Sequence, residues 1–266
     1  MFRLCPIASG SSGNCTFIEA GDTRLLVDAG ISGKKVIEGL TTIDIDPSTI
    51  NAIFITHEHI DHIKGVGIYS RKFNVPIYTT HKTWDKMIDD KSLGKLKEEN
   101  IFRIEKNAPM NIGELTITPY PIPHDAVDPV GYKFDYNGKR IIVTTDLGEI
   151  DDEMMENLKG VNGILLEFNH DINMLKAGGY PYALKQRILG RNGHLNNDDA
   201  ARVLANIYHK DLNWAVLGHL SQDNNVPELA YLTAVQALKE KNIEIGEDIE
   251  VYVAKRHEVS KMFEVK

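Results

Sequence analysis

The chain has 266 residues, 42% of them hydrophobic and 26% charged, and ten histidines are its unusual component. That balance excludes wholesale disorder, and no window approaches the ~20 apolar residues of a membrane span. Thirty basic against 38 acidic side chains give a net charge of −8, which excludes a protein that coats nucleic acid by bulk charge, though not one that grips phosphate locally or holds divalent metals.

The length fits one large domain or two small ones, and with no linker or solenoid repeat in view we expect a single domain over residues 1–266. The N-terminus has no apolar h-region, so no signal peptide is read. Cys5 and Cys15 cannot by themselves make a disulfide framework or a thiolate zinc cage. They are expected to be reduced and packed on N-terminal strands, in a cytoplasmic protein.

In chain order, strands are expected at 2–7, 15–19 and 24–27, separated by turn-rich 9–14 and by Gly21-Asp22. A short helix near 32–40 follows, then a buried strand at 51–56 that runs directly into His57. Next come a strand at 75–79, a helix over 83–91 and strands near 101–104 and 115–119. A hairpin is predicted from 131–136 and 140–145, turned by Asn137-Gly138, the strongest short hairpin signal. The second half is richer in helix: 151–158, then one that Pro181 opens and Gly190 closes, then amphipathic 196–209 and 226–241, with strands at 163–167, 213–217, 250–253 and 261–265. Hairpins mixed with crossovers predict a layered α/β fold.

One stretch outweighs the rest: His57-Glu58-His59-Ile60-Asp61-His62. Imidazole and carboxylate are typical ligands of first-row metals. Alternate residues of an extended segment share a face, so His57 and His59 can reach one metal, and a turn lets Asp61 and His62 face a second. Asp28, His124, Asp146 and His219 each sit where a predicted strand stops.

Asp28, the HxHxDH box, His124, Asp146 and His219, in that order, resemble the metallo-β-lactamase-fold hydrolases. The resemblance covers the whole chain and implies a four-layer αβ/βα sandwich with two divalent metal ions per chain. On the family pattern His57, His59 and His124 bind one ion, Asp61, His62 and His219 the other, and Asp146 bridges. Asp28 then orients a histidine ligand through a hydrogen bond, and Asp61 counts among the catalytic groups as well as the ligands. Imidazoles suit zinc, while the carboxylates admit manganese or iron.

Within the superfamily the local match is to the YycJ/WalJ-type bacterial exonucleases. It is carried by Ser9-Gly10-Ser11-Ser12-Gly13-Asn14, Asn169-His170-Asp171, the run from Tyr180 to Arg187, Gly193-His194-Leu195 and Gly218-His219-Leu220-Ser221. The usual Ser-Asn after Gly-His-Leu is here Asn196-Asn197, a change that keeps a residue able to cap a helix. This likeness implies a 5′→3′ DNA exonuclease that hydrolyses phosphodiesters with a metal-bound hydroxide. His194 resembles the separate catalytic histidine of the tRNA 3′-processing relatives and is expected to protonate the leaving oxygen.

Lys185, Arg187 and Arg191 form a small basic cluster suited to phosphate. Tyr180 and Tyr182 offer rings for stacking or for the core. Ser11 and Ser12 lie in a loop whose N–H groups and hydroxyls suit an anion, and His170 is expected to touch substrate or metal-bound water. The expected partner is DNA, single-stranded or at duplex ends, with no membrane; nothing identifies a protein partner. The alternatives are a small-molecule hydrolase of thioesters, lactones or β-lactams, a flavo-diiron oxidoreductase, which His59 opposes, and a non-catalytic regulatory protein.

Overall fold

A computed structural model describes residues 1–89, 91 and 93–266. The strands form two seven-stranded sheets. The first holds β1 (Phe2–Ala8), β2 (Cys15–Ala20), β3 (Thr23–Val27), β4 (Ala52–Phe54), β5 (Ile77–Thr80), β6 (Ile101–Ile104) and, at its far edge beside β1, β14 (Phe263–Glu264). The second holds β7 (Met110–Ile112), β8 (Leu115–Pro121), β9 (Val130–Tyr136), β10 (Lys139–Thr144), β11 (Gly163–Glu167), β12 (Trp214–Gly218) and β13 (Glu250–Val253) in chain order. The helices are α1 (Gly33–Thr42), α2 (Ile60–Ile63), α3 (Val66–Phe73), α4 (His81–Asp89), α5 (Asp152–Leu158), α6 (Ile172–Ala177), α7 (Tyr182–Leu189), α8 (Asn197–Ile207) and α9 (Pro227–Glu240).

The chain divides into two compact units. The first comprises Met1–Pro121, Ala126–Asn137 and Lys255–Glu264. Here β1, β2 and β3 run antiparallel by short turns, and β3 to β6 run parallel through helical crossovers. Its core gathers Phe17, Leu26, Ile53, Ile77, Tyr69 and Trp84, all with negligible exposure. The indole N–H of Trp84 donates to the Phe102 carbonyl at 2.7 Å, which removes the cost of burying it. Cys5 and Cys15 are free thiols buried on β1 and β2, as expected, and burial pushes the Cys5 thiol up to about 12.

The second unit comprises Ile122–Asp125, Gly138–Ala254 and Val265–Lys266. Its strands β10 to β13 run parallel, and the inner pair, β11 and β12, are buried along their whole length and almost wholly apolar, as strands covered on both faces must be. Asn137 and Gly138 take φ of 48° and 74°, the pair of left-handed residues that a tight hairpin turn needs. Pro181 and Gly190 cap α7 at either end, and Asn196 caps α8 by accepting the Asp199 N–H at 3.0 Å.

The sequence reading missed α2, α3, α6 and β7. Helix α3 has no side-chain N-cap and opens on Val66 and Gly67, so nothing local announces it. The helix predicted over 83–91 is observed as His81–Asp89, and Asp90 lies outside the described residues.

Candidate metal centre

In the first unit β3 and β4 end side by side, and the residues just past them carry the site. Asp28 follows β3 with φ of +58°, a left-handed conformation that re-aims its carboxylate. It accepts the Thr56 N–H and the Thr56 hydroxyl, both at 2.9 Å, and the His62 Nδ1–H at 2.8 Å. That last bond fixes the His62 tautomer and leaves its Nε2 as the electron-pair donor. Asn14 Nδ2 stands 3.0 Å from that Nε2. Thr56 Oγ1 is also 3.0 Å from His57 Nδ1, and His57 Nε2 is 3.0 Å from His59 Nδ1. His59 is extended, with φ −62° and ψ 146°, while Asp61 and His62 lie in α2 with Asp61 Oδ2 3.6 Å from His62 Nε2. His59 is thus extended and Asp61 and His62 helical, while the His57 and His62 rings lie 4.0 Å apart.

Backbone contacts clamp this box. Asn14 N–H donates to the Asp61 carbonyl at 2.8 Å and Ala29 N–H to the His62 carbonyl at 2.9 Å. Gly30 passes so close that a Cβ there would stand 1.5 Å from the Asp61 oxygen, so only glycine fits.

In the second unit the same construction recurs. Asp146 follows β10 and His219 follows β12, with φ of +59° and +53°. Left-handed non-glycine residues cost of order 1–3 kcal/mol each and cluster where function requires them. Asp146, Glu167, His194 and His219 form one set whose ligand atoms lie within 4.8 Å of one another. His219 Nε2 is 3.4 Å and His124 Nε2 3.8 Å from Asp146 Oδ1. His124 Nδ1 stands 3.2 Å from the Gly193 carbonyl, and a donor there again leaves Nε2 for a metal.

Glu167 ties this unit's histidines together, and the sequence reading assigned it no role. It ends β11 with no solvent exposure, and Oε1 accepts from His194 Nδ1 at 2.8 Å and His219 Nδ1 at 2.9 Å. Oε2 accepts the Leu147 N–H at 2.8 Å and the Leu195 N–H at 3.3 Å. Burial alone would push this carboxyl up, but His194 and His219 outweigh it and hold it down at about 2. Ionised, it can only accept, so both Nδ1 atoms must donate and both Nε2 atoms are left to react. A carboxylate closing an otherwise apolar buried strand was the signal available. Asn169 adds to the frame by donating to the His219 carbonyl at 3.0 Å.

The remaining residues fall differently. Ser11 and Ser12 are exposed at the tip of loop 9–14. His170 does not face solvent: it is 1% exposed, neither ring nitrogen has a hydrogen bond among the described residues, and burial holds its pKa down near 4. The expected touch on substrate is therefore not one that the surface offers. Lys185 Nζ turns onto the Lys176 carbonyl at 2.7 Å, Arg187 pairs with Asp125 at 2.5 Å, and Arg191 pairs with Glu149 at 3.0 Å. These cations are engaged with protein groups, yet α7 buries none of its residues. Tyr182 is 78% exposed and so does not belong to the core, while Tyr180 donates its hydroxyl to Asp223 at 2.8 Å.

These donor sets fit divalent metal: buried imidazoles in the tautomer that presents Nε2, oriented by carboxylates, next to further carboxylate oxygens. A family model described as a beta-lactamase superfamily domain matches residues 23–219. Exodeoxyribonuclease WalJ of Streptococcus pneumoniae is 40% identical over 94% of this chain and 93% of its own length. Exodeoxyribonuclease YycJ of Bacillus anthracis is 36% identical over 92% of each. The crystal structure of the metallo-beta-lactamase fold protein YhfI from Bacillus subtilis superposes with a TM-score of 0.72 at 18% identity, covering 98% of this chain and 100% of that one.

Proposed function

Because the chain belongs to the beta-lactamase superfamily and has the metallo-β-lactamase fold, we propose that it is a dinuclear metal-dependent phosphodiesterase, a 5′→3′ exonuclease acting on DNA ends. On the family pattern His57, His59 and His124 would hold one ion and Asp61, His62 and His219 the second, with Asp146 serving both, in one domain spanning residues 1–266. Zinc and manganese both suit this mixed set. No helix among the described residues is long and apolar enough to cross a membrane, and we place the protein in the cytoplasm.

Bound divalent ions supply an activated water and polarise the phosphoryl oxygens. The chain's own groups do the rest. Asp28, Thr56 and Glu167 hold the ligand imidazoles at fixed angles, which keeps the donors preorganised. His194 is not in the ligand set. Its Nδ1–H is committed to Glu167, so its Nε2 is the atom that carries a proton to the leaving 3′-oxygen. Its side chain is 23% exposed, and its Nδ1 is 3.8 Å from Asp146 Oδ1, so it can meet substrate beside the metal ligands. This carboxylate-held histidine next to a buried ligand set is the observation that carries the reading, since a proton donor is what a poor alkoxide leaving group requires. The exodeoxyribonuclease names of relatives 36–40% identical over most of the chain support the same substrate class.

The test is turnover of end-labelled single- and double-stranded DNA and RNA with added zinc or manganese, beside a thioester control. The account expects mononucleotides released from DNA 5′ ends and no thioester cleavage. Thioester hydrolysis without nuclease activity would overturn it in favour of the small-molecule reading.

A further inference from the structure

We propose that the outer face of α7 is a stacking platform for an unpaired base of the strand, with Tyr182 as its ring; this rests on the exonuclease reading and names how the substrate is held beside that site. The core does not claim this ring. Helix α7 buries none of its eight residues. Tyr182, Gln186 and Leu189, spaced i, i+4 and i+7 along one face, are all exposed, Tyr182 by 78%. A single exposed aromatic is ordinary surface; the setting of this one gives it a task.

The C-terminal end of α7 is seated on the loops that carry the second unit's site residues. The Ile188 carbonyl accepts the His194 N–H at 3.0 Å, and the Gly190 carbonyl accepts the Gly193 N–H at 2.8 Å. Arg187 reaches Asp125, the neighbour of His124, at 2.5 Å. The approach is close: a Cβ on Gly193 would come within 2.1 Å of the Ile188 oxygen. One on Gly148, just past Asp146, would come within 2.3 Å of the Arg191 oxygen. The other end is held as well, by Lys185 Nζ donating to the Lys176 carbonyl at 2.7 Å and the Tyr180 hydroxyl donating to Asp223 at 2.8 Å. The helix is thus fixed beside His124, Asp146 and His194, while its outer face stays open to solvent.

Charge does not select the ligand here, because Arg187 is matched by Asp125 and Arg191 by Glu149. The face offers a flat ring, an amide and an aliphatic side chain. Nucleobases stack on such rings whatever their sequence, and a tyrosine carried on a fixed helix gives up little freedom in binding. Bases inside a duplex are already stacked and out of reach, so the platform takes an unpaired one. Seven residues of helix at about 1.5 Å each put Tyr182 roughly 10 Å from Leu189 at the seated end. That is about three stacked nucleotides. An enzyme that releases mononucleotides therefore stacks a base of the retained strand on Tyr182, not the base it releases.

Fluorescence anisotropy on the metal-loaded protein tests this. The probes are a labelled single-stranded oligodeoxynucleotide with phosphorothioate linkages, so that binding is read without turnover, and the same backbone with an abasic spacer in place of every base. Tyr182→Ala is expected to weaken binding of the base-bearing strand by roughly 5- to 100-fold and to leave the abasic strand's affinity unchanged. The factor should be the same at every salt concentration, because the ring contacts no phosphate. Tyr182→Phe and Tyr182→Trp should retain the affinity, and the melting temperature of Tyr182→Ala should not move. Equal losses on both strands, or no loss on either, would overturn the platform. So would a Tyr182→Ala protein that keeps its DNA affinity but loses self-association in sedimentation, which would assign the face to a second copy of the chain. Base-dependent binding through Tyr182 by a protein that hydrolyses no DNA would keep the platform and overturn the nuclease reading; DNA hydrolysis with binding indifferent to Tyr182 would do the reverse.

Discussion

His194 and His219 share one buried carboxylate oxygen of Glu167, at 2.8 and 2.9 Å, and yet they are given different tasks. If His194 protonates the leaving oxygen, His194→Ala should lower kcat by roughly 10²–10⁴-fold, the usual range for a general acid. The loss should be far smaller on a p-nitrophenyl ester, whose leaving group needs little protonation, and metal content by mass spectrometry should not change. Glu167→Gln should do more: it removes the charge that orients both imidazoles, so activity and bound metal should fall together. Asp146→Asn should weaken both ions and abolish hydrolysis, whereas Asp28→Asn, which disturbs the support of His62 and of the Thr56 hydroxyl beside His57, should loosen metal by roughly 10–100-fold. His170, which is not one of the proposed ligands but feels Glu167 and His194, gives a pH signature of its own. Its pKa falls from the ordinary 6.5 to about 4 because burial disfavours the charged ring. The unfolded chain takes up this proton first, so stability is full above pH 6.5 and is lost as pH falls toward 4. His170→Gln should flatten the thermal-stability profile in that window, and an unchanged profile would show that the ring titrates normally.

At the scale of elements, the strand-to-site transitions were the most legible part of the sequence. An apolar run ending on Asp or His is a strong pattern, and β3, β4, β10 and β12 each end within three residues of Asp28, His57, Asp146 or His219. Hidden from the sequence were contacts between segments far apart in the chain: Glu167 reaching His194 and His219, and Gly30 lying against Asp61. Local propensity carries no information on either, because the partners are 27 and 52 residues away from Glu167. Gly30→Ala should therefore cost far more than the usual glycine-to-alanine change, with a lower melting temperature and loss of metal, since the clamp on α2 must open. Helix α7 is the opposite case. The basic cluster was legible, but the pairing of Arg187 with Asp125 and Arg191 with Glu149 was not. Lys185→Ala and Arg187→Ala should raise KM for nucleic acid and flatten its salt dependence. Kinetics at several salt concentrations will show this; an unchanged slope would assign these cations to their protein partners alone.

For the whole molecule, a chain of net charge −8 that is proposed to degrade DNA must concentrate its positive charge locally, on bound ions and in small patches, rather than across its surface. The layered α/β class was readable from alternating hairpins and crossovers, whereas the division into two units was not, because it cuts the chain at several places that no linker marks. The central claim is that two divalent ions and the groups that hold them hydrolyse DNA from its 5′ end. Its most direct test is a titration of metal-stripped protein with manganese or zinc, following mononucleotide release from end-labelled single-stranded DNA against bound ions per chain. The account predicts that activity rises with the second equivalent and reaches its plateau at two ions per chain. Full activity with one ion bound, or no DNA hydrolysis once two are bound, would contradict it.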